Sequence, residues 1–226
     1  MFFFLKRLGQ TIWYTFVWLR DTLSIIPGLW KVFKLYAPRV TFFGGAKLKL
    51  ESSYAKAATE LASLLVNNNV SIITGGGAGI MEAAARGARI KNKKRMTNLG
   101  IGVSKLEEGA IPQAHGSFVR VKNFVLRKWL MMHFSAAYIV FPGGVGTYDE
   151  LAEILTLMDT GMLRRYPIIL YGREYWGKLE IWVNDGLTRG YIHPHVKDFF
   201  VIADDVESAY QHICKSCSRR GFKVKP

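Results

Sequence analysis

The chain reads as an α/β protein with a parallel sheet, helices on both faces and an amphipathic helical segment in front. Three observations carry this. From residue 39 onward, short apolar runs alternate with stretches of helical spacing, and strands that apolar belong to parallel sheets covered on both sides. Two of the runs feed glycine-rich turns that open helices. Half of the 226 residues are hydrophobic, enough for a sizeable core.

Residues 1–38 stand apart: aromatics are dense and acids nearly absent. The longest uncharged run, residues 8–19, falls short of the ~20 apolar residues that span a bilayer. No small-residue cleavage site marks a signal peptide. Ile12, Phe16, Leu19 and Leu23 share one helical stripe, Trp13, Trp18 and Trp30 add amphipathic rings, and Pro27-Gly28 breaks the segment in two. Two readings stand: a helix lying on an anionic membrane, or one packed on the domain or on a partner subunit. The basic, aromatic character favours the membrane. The domain itself is expected over residues 39–226.

After Pro38 the elements follow in turn. Val40 to Phe43 form a first strand ending at Gly44-Gly45. Residues 52–67 are helical, with Tyr54, Ala58, Leu61 and Leu65 on one face. Strands are expected at 70–74, 99–103, 118–121, 137–141, 168–171 and 200–202. Helices are expected from the 75–79 turn to about 91, then over 123–134, 148–160 and 174–187, with a last one from Asp204. Ligands of such sheets bind at the carboxyl ends of strands.

The formal net charge is +14 and the pI about 9.8, which favours an anionic partner without choosing one. The basic residues clump: Lys6, Arg7, Arg20, Lys31, Lys34 and Arg39; then Arg86, Arg89, Lys91, Lys93, Lys94 and Arg95; then Lys215, Arg219, Arg220, Lys223 and Lys225. The last group reads as solvated surface. Cys214 and Cys217 lack a second ligand pair for zinc and fall late in a helix, so they read as ordinary thiols of a reducing compartment. His115 and His133 are read as structural or surface residues. His193 and His195 read as a loop, and two imidazoles alone make a poor metal site. No metal is expected.

The chemistry concentrates in two turns and one helix. In Thr74-Gly75-Gly76-Gly77-Ala78-Gly79-Ile80-Met81-Glu82 the glycines admit a ligand close to the backbone, and the following helix points free N–H groups at it. No Gly-Lys-Ser/Thr follows, and Ile80 stands where a dinucleotide fingerprint needs glycine, so neither a P-loop nor a dinucleotide site fits. The second turn is Phe141-Pro142-Gly143-Gly144-Val145-Gly146-Thr147-Tyr148-Asp149-Glu150. Thr147 is suited to cap the helix or bind phosphate. Asp149 and Glu150 are expected in the first helical turn, where Asp149 serves equally well as dipole compensation. Arg127-Lys128 sits in the helix before the strand feeding this turn, and arginine holds phosphate or carboxylate with two prongs.

GGGAGIMEAAARGA, RKWLM and PGGVGTYDE, in this order and spacing, resemble the Lonely Guy family, whose members are often mislabelled lysine decarboxylases. The resemblance covers about residues 39 to 205. Gly45 replaces the family's usual Ser, which puts one hydroxyl contact in question. The resemblance implies a Rossmann-like sheet, a homodimer or larger, and no metal or organic cofactor; separately, a cytoplasmic location is expected, on the cytoplasmic face of the membrane if residues 1–38 bind lipid. It implies hydrolysis of a nucleoside 5′-monophosphate to free base and ribose 5-phosphate, with an AMP-type or cytokinin-type base. The catalytic pair would be Arg127 and Glu150. Substrate and phosphate contacts would fall to Gly44, Gly45, Gly76, Gly77, Gly79, Met81, Lys128, Gly143, Gly144, Gly146 and Thr147. No lysine is set up as a pyridoxal Schiff base.

The chemistry fits independently. N-ribosidic cleavage develops oxocarbenium character, which a carboxylate beside the ring stabilises while orienting or deprotonating water. A remote phosphate supplies positioning energy. Two alternatives stand beside it. One is a silent nucleotide-binding protein acting at a membrane. The other, nucleic-acid binding, is disfavoured because aromatics do not interleave with the basic clusters of the domain.

Overall fold

A computed structural model of the chain describes residues 2–89, 96–104, 111–218 and 221. Lys91, Lys93, Lys94 and Arg95 of the second basic group, and Arg219, Arg220, Lys223 and Lys225 of the third, lie outside the described residues. The elements run α1 (Phe2–Leu23), α2 (Ile26–Lys34), β1 (Arg39–Phe43), α3 (Ser53–Asn67), β2 (Ser71–Thr74), α4 (Ile80–Gly87), β3 (Asn98–Val103), β4 (Ser117–Val121), α5 (Phe124–His133), β5 (Ala137–Val140), α6 (Val145–Asp159), β6 (Ile168–Tyr171), α7 (Arg173–Thr188), β7 (Phe200–Ala203) and α8 (Val206–Ser218).

The seven strands form one sheet in the order β4-β3-β2-β1-β5-β6-β7. Every pairing is parallel. β1 pairs β2 on one side, with Thr41 opposite Ile73, and β5 on the other, with Thr41 opposite Tyr138. The chain therefore winds outward in both directions from β1, and the crevice at such a switch point is where ligands bind.

Each face of the sheet covers its own core. On one, Phe42, Ile72, Ile139 and Phe141 pack with Leu61 and Leu65 of α3 and Ile213 of α8. On the other, Phe43, Ile73, Tyr138 and Val140 pack with Leu130 of α5, Ile154 of α6 and Trp176 of α7. Alternate residues of one strand thus serve opposite cores, as the two-residue period requires. Side chains start the helices that matter here. Ser52 Oγ accepts from Ala55 N at the head of α3, and Asn123 Oδ1 accepts from Leu126 N at 3.0 Å at the head of α5. Both are preferred capping types.

Some bounds differ from expectation. α6 opens at Val145 rather than 148, because Gly144 already accepts from Thr147 N and Tyr148 N. Asp149 and Glu150 therefore lie in its second turn, beyond the groups that dipole compensation concerns. The described part of α4 ends at Gly87, short of 91.

The aromatic N-terminal stretch divides at Ser24-Ile25. α2 packs on the domain: Val32 and Leu35 are buried in the second core, and Gly28 fits against Leu130. Lys31 donates to the Phe118 carbonyl. In contrast, Ile12, Trp13, Phe16 and Trp18 of α1 stand in the open. Among the described residues no helix is long and apolar enough to cross a membrane.

Candidate active site

Three turns meet at the carboxyl edge of the sheet: residues 44–47 after β1, 75–79 after β2 and 141–144 after β5. Gly45 joins them. Its N–H donates to the Pro142 carbonyl at 3.0 Å, and its own carbonyl accepts from Ile80 N at 3.2 Å. No side chain takes part, so the position that resembles a serine site works here through its backbone. Gly79, at φ +64°, closes the second turn, and a Cβ there would stand 2.2 Å from the Gly45 carbonyl oxygen.

Between the turns lies a cleft of about 1050 Å³. It is lined by Gly44, Gly45, Gly76, Gly77, Met81, Arg127, Lys128, Gly144, Gly146, Thr147 and Glu150, all expected from the sequence. Gly79 and Gly143 stand behind the wall instead. Gly79 caps α4, and Gly143 accepts a hydrogen bond from Tyr175 Oη, while a Cβ at Gly143 would stand 2.1 Å from Thr147 Oγ1. The heads of α4 and α6 open at this edge, so partial positive charge of two helix N-termini reaches the cleft. Gly144 and Gly146 have open space where a side chain would stand.

At the floor, Arg127 Nη2 donates to Glu150 Oε1 at 3.0 Å, with both side chains largely buried. α5 aims the arginine and the second turn of α6 aims the carboxylate. Burial pushes the Glu150 carboxyl from its ordinary 4.5 up to about 7. The Arg127 guanidinium pulls it back, while Asp149 adds a smaller upward push. A carboxyl so placed changes protonation near neutrality, which suits it to proton transfer. Arg127 Nε is buried with no hydrogen-bond partner among the described residues. Lys128 is bound to Asp149 and Glu153. Burial alone would lower its ammonium pKa, but those hydrogen bonds outweigh it and hold the group charged.

Other contributors escaped sequence reasoning. Gly75 gives Arg127 its path, since a Cβ there would lie 2.5 Å from Nη2. Phe124 lines the cleft with its ring 5.5 Å from the Arg127 guanidinium carbon. Gly102, Val103 and Ser104 bring the end of β3 to the wall; their only signal was a position at a strand's carboxyl end. His115 lies underneath. Its Nδ1 faces the Ile111 carbonyl at 3.0 Å and so carries the proton, leaving Nε2 to accept from Thr74 Oγ1 at 2.7 Å. Thr74 Oγ1 in turn accepts from Gly76 N and holds the turn. His133 is exposed and stacks on Trp129. His115 is thus structural and His133 a surface residue.

A Rossmann-like sheet with a glycine-walled cleft over a buried Arg–Glu pair defines a class of α/β protein. The family described as "possible lysine decarboxylase" matches residues 81–213, and the chain belongs to this family, the Lonely Guy family. It is 28% identical to the cytokinin riboside 5′-monophosphate phosphoribohydrolase of Rhodococcoides fascians, over 75% of this chain and 86% of that one. It is 29% identical to one from Arabidopsis thaliana of the same description, over 73% and 76%. Among solved structures it resembles the molybdenum cofactor binding protein of Rippkaea orientalis, with a TM-score of 0.60 and 22% identity, covering 79% of this chain and 96% of that one. The Chlamydomonas reinhardtii molybdenum cofactor carrier protein gives 0.58 and 19%, over 80% and 98%. At such identities these two bear on the fold alone.

Proposed function

We propose that the chain hydrolyses the N-glycosidic bond of a nucleoside 5′-monophosphate, releasing the free base and ribose 5-phosphate. The observation that carries this is the Arg127–Glu150 pair on the floor of a cleft flanked by two helix N-termini. The names of the relatives agree with it. The 5′-phosphate binds where N–H groups of the glycine turns and the Thr147 hydroxyl converge. Glu150, as carboxylate, stabilises the sugar cation that develops as the bond to the base lengthens. It also takes a proton from the water that attacks the anomeric carbon. The base departs and takes up a proton. Arg127 orients Glu150 and turns its remaining donors to the substrate's anionic end. Phe124 offers a face on which a planar base stacks.

The test is incubation with a panel of nucleoside 5′-monophosphates, an N6-modified AMP among them, with chromatography of the free base. Base release that falls roughly 100- to 10,000-fold in Glu150→Ala, with the fold intact, supports the reading. Near-normal turnover in that variant removes Glu150 from its role. No release from any substrate, with tight nucleotide binding by calorimetry, assigns a silent binding protein instead.

We also propose that α1 lies on an anionic membrane surface, leaving the remaining residues as a cytoplasmic domain. The support is its basic character and its uncovered aromatics, Phe16 and Trp18 being 65% and 67% exposed. A homodimer is proposed from the family resemblance, and sedimentation equilibrium tests it.

A further inference from the structure

Away from the cleft, three side chains that the sequence keeps far apart converge. Asp159 is the last residue of α6, and His193 and His195 lie in the segment between α7 and β7. His193 Nδ1 stands 2.9 Å from Asp159 Oδ1, and His195 Nε2 stands 2.8 Å from the same oxygen. The three ligand atoms all lie within 4.8 Å of one another. Pro194 separates the imidazoles and opens a 3-10 turn over Pro194–Asp198. His195 is steadied by the Phe199 ring, 5.4 Å away. The two imidazole rings are nearly parallel, 14° apart, with centroids at 5.5 Å. Asp159 also closes the C-terminal end of a 15-residue helix, whose dipole adds negative potential there.

We propose that Asp159, His193 and His195 form a binding site for a divalent transition-metal ion of the zinc class. Two imidazole nitrogens and one carboxylate oxygen are a borderline donor set, which suits zinc and its neighbours rather than calcium or magnesium. Bonds of ~2.0–2.1 Å to a tetrahedral ion place donors roughly 3.3 Å apart, a spacing this cluster reaches with small side-chain shifts. Both rings aim a nitrogen at the Asp159 carboxylate, His193 Nδ1 reaching its two oxygens at 2.9 and 3.0 Å and His195 Nε2 reaching one of them at 2.8 Å. An ion held among the three takes a lone pair from each neutral ring and from the carboxylate, whose ligand atoms already lie within 4.8 Å of one another. The exposure of His193 leaves a fourth position for water.

The site is separable from the proposed chemistry. Asp159 follows Glu150 by nine residues on one helix, about 14 Å along its axis. A bound ion would tie the end of α6 to the segment leading into β7.

The experiment uses the full-length chain, stripped with chelator and titrated with zinc chloride by calorimetry, and with cobalt(II) by visible absorption. The expected result is saturable uptake of one ion per chain, a higher melting temperature with zinc, and a cobalt spectrum without a thiolate charge-transfer band. His193→Ala, a change at an exposed side chain, should lose that uptake while melting cooperatively; Asp159→Asn should do likewise. Absence of saturable uptake, uptake retained in His193→Ala, or a thiolate band pointing to Cys214 and Cys217 would each overturn the proposal.

Discussion

Glu150 is pulled two ways. Burial draws its carboxyl toward the neutral form and Arg127 draws it toward the anion, and the outcome is a pKa of about 7. If the anion is the working form, the rate of base release should climb tenfold per pH unit below about 7 and level off above it. A flat profile from pH 5 to 8 would separate that ionisation from turnover. Stability runs the other way. Folding raises this pKa, so the contribution is full below the unfolded value near 4.5 and is lost as pH rises through about 7. Glu150→Gln should therefore be more stable than the parent at pH 8.5, by about 1–3 kcal/mol in urea titrations, though inactive. Gly75→Ala makes a sharper test of geometry: its methyl would displace the Arg127 guanidinium, and base release should fall at least about tenfold with little change in melting. Arg127 and Glu150 were legible in the sequence because their motifs have fixed spacing. Gly75 was visible only as one of a run of glycines, since which one faces the arginine depends on packing. Phe124 looked like any apolar helix residue. Asp159 and the two histidines, 34 and 36 residues apart, carry no shared pattern at all.

At the scale of elements, α1 and α2 behave differently although one compositional signature covers both. Aromatic and basic content does not say which side chains find a partner; that depends on whether a groove on the domain receives them. α2 finds one, and Val32 and Leu35 join the second core. Leu35→Ala should lose about 2–5 kcal/mol in a urea titration, whereas deletion of residues 2–23 should leave the midpoint nearly unchanged. A large loss on that deletion would mean that α1 also supports the domain. The strands and the remaining helices were legible because a buried parallel sheet writes itself as bare apolar runs. The start of α6 was not, since Gly146, a poor helix former, falls inside its first turn and the glycine-rich stretch reads as turn.

The molecule as a whole sets a basic chain around a central β1. Its +14 charge suits both a phosphate-bearing substrate and an anionic surface, and these are separable by salt and by truncation. The full chain should sediment with vesicles containing phosphatidylserine, progressively less as salt is raised, and lose this on removal of residues 2–23. Equal binding by the truncated chain would shift the contact to the domain.

Gly45 has a dynamic consequence. Its two backbone bonds clamp turns from three strands into one piece, so these three walls of the cleft do not breathe apart. The amides of Gly45 and Ile80 should exchange with deuterium slowly and in step even without ligand, released by a shared opening rather than by separate loop fluctuations. A ligand then meets a receptacle already assembled, and its arrival is timed by encounter instead of by folding around it.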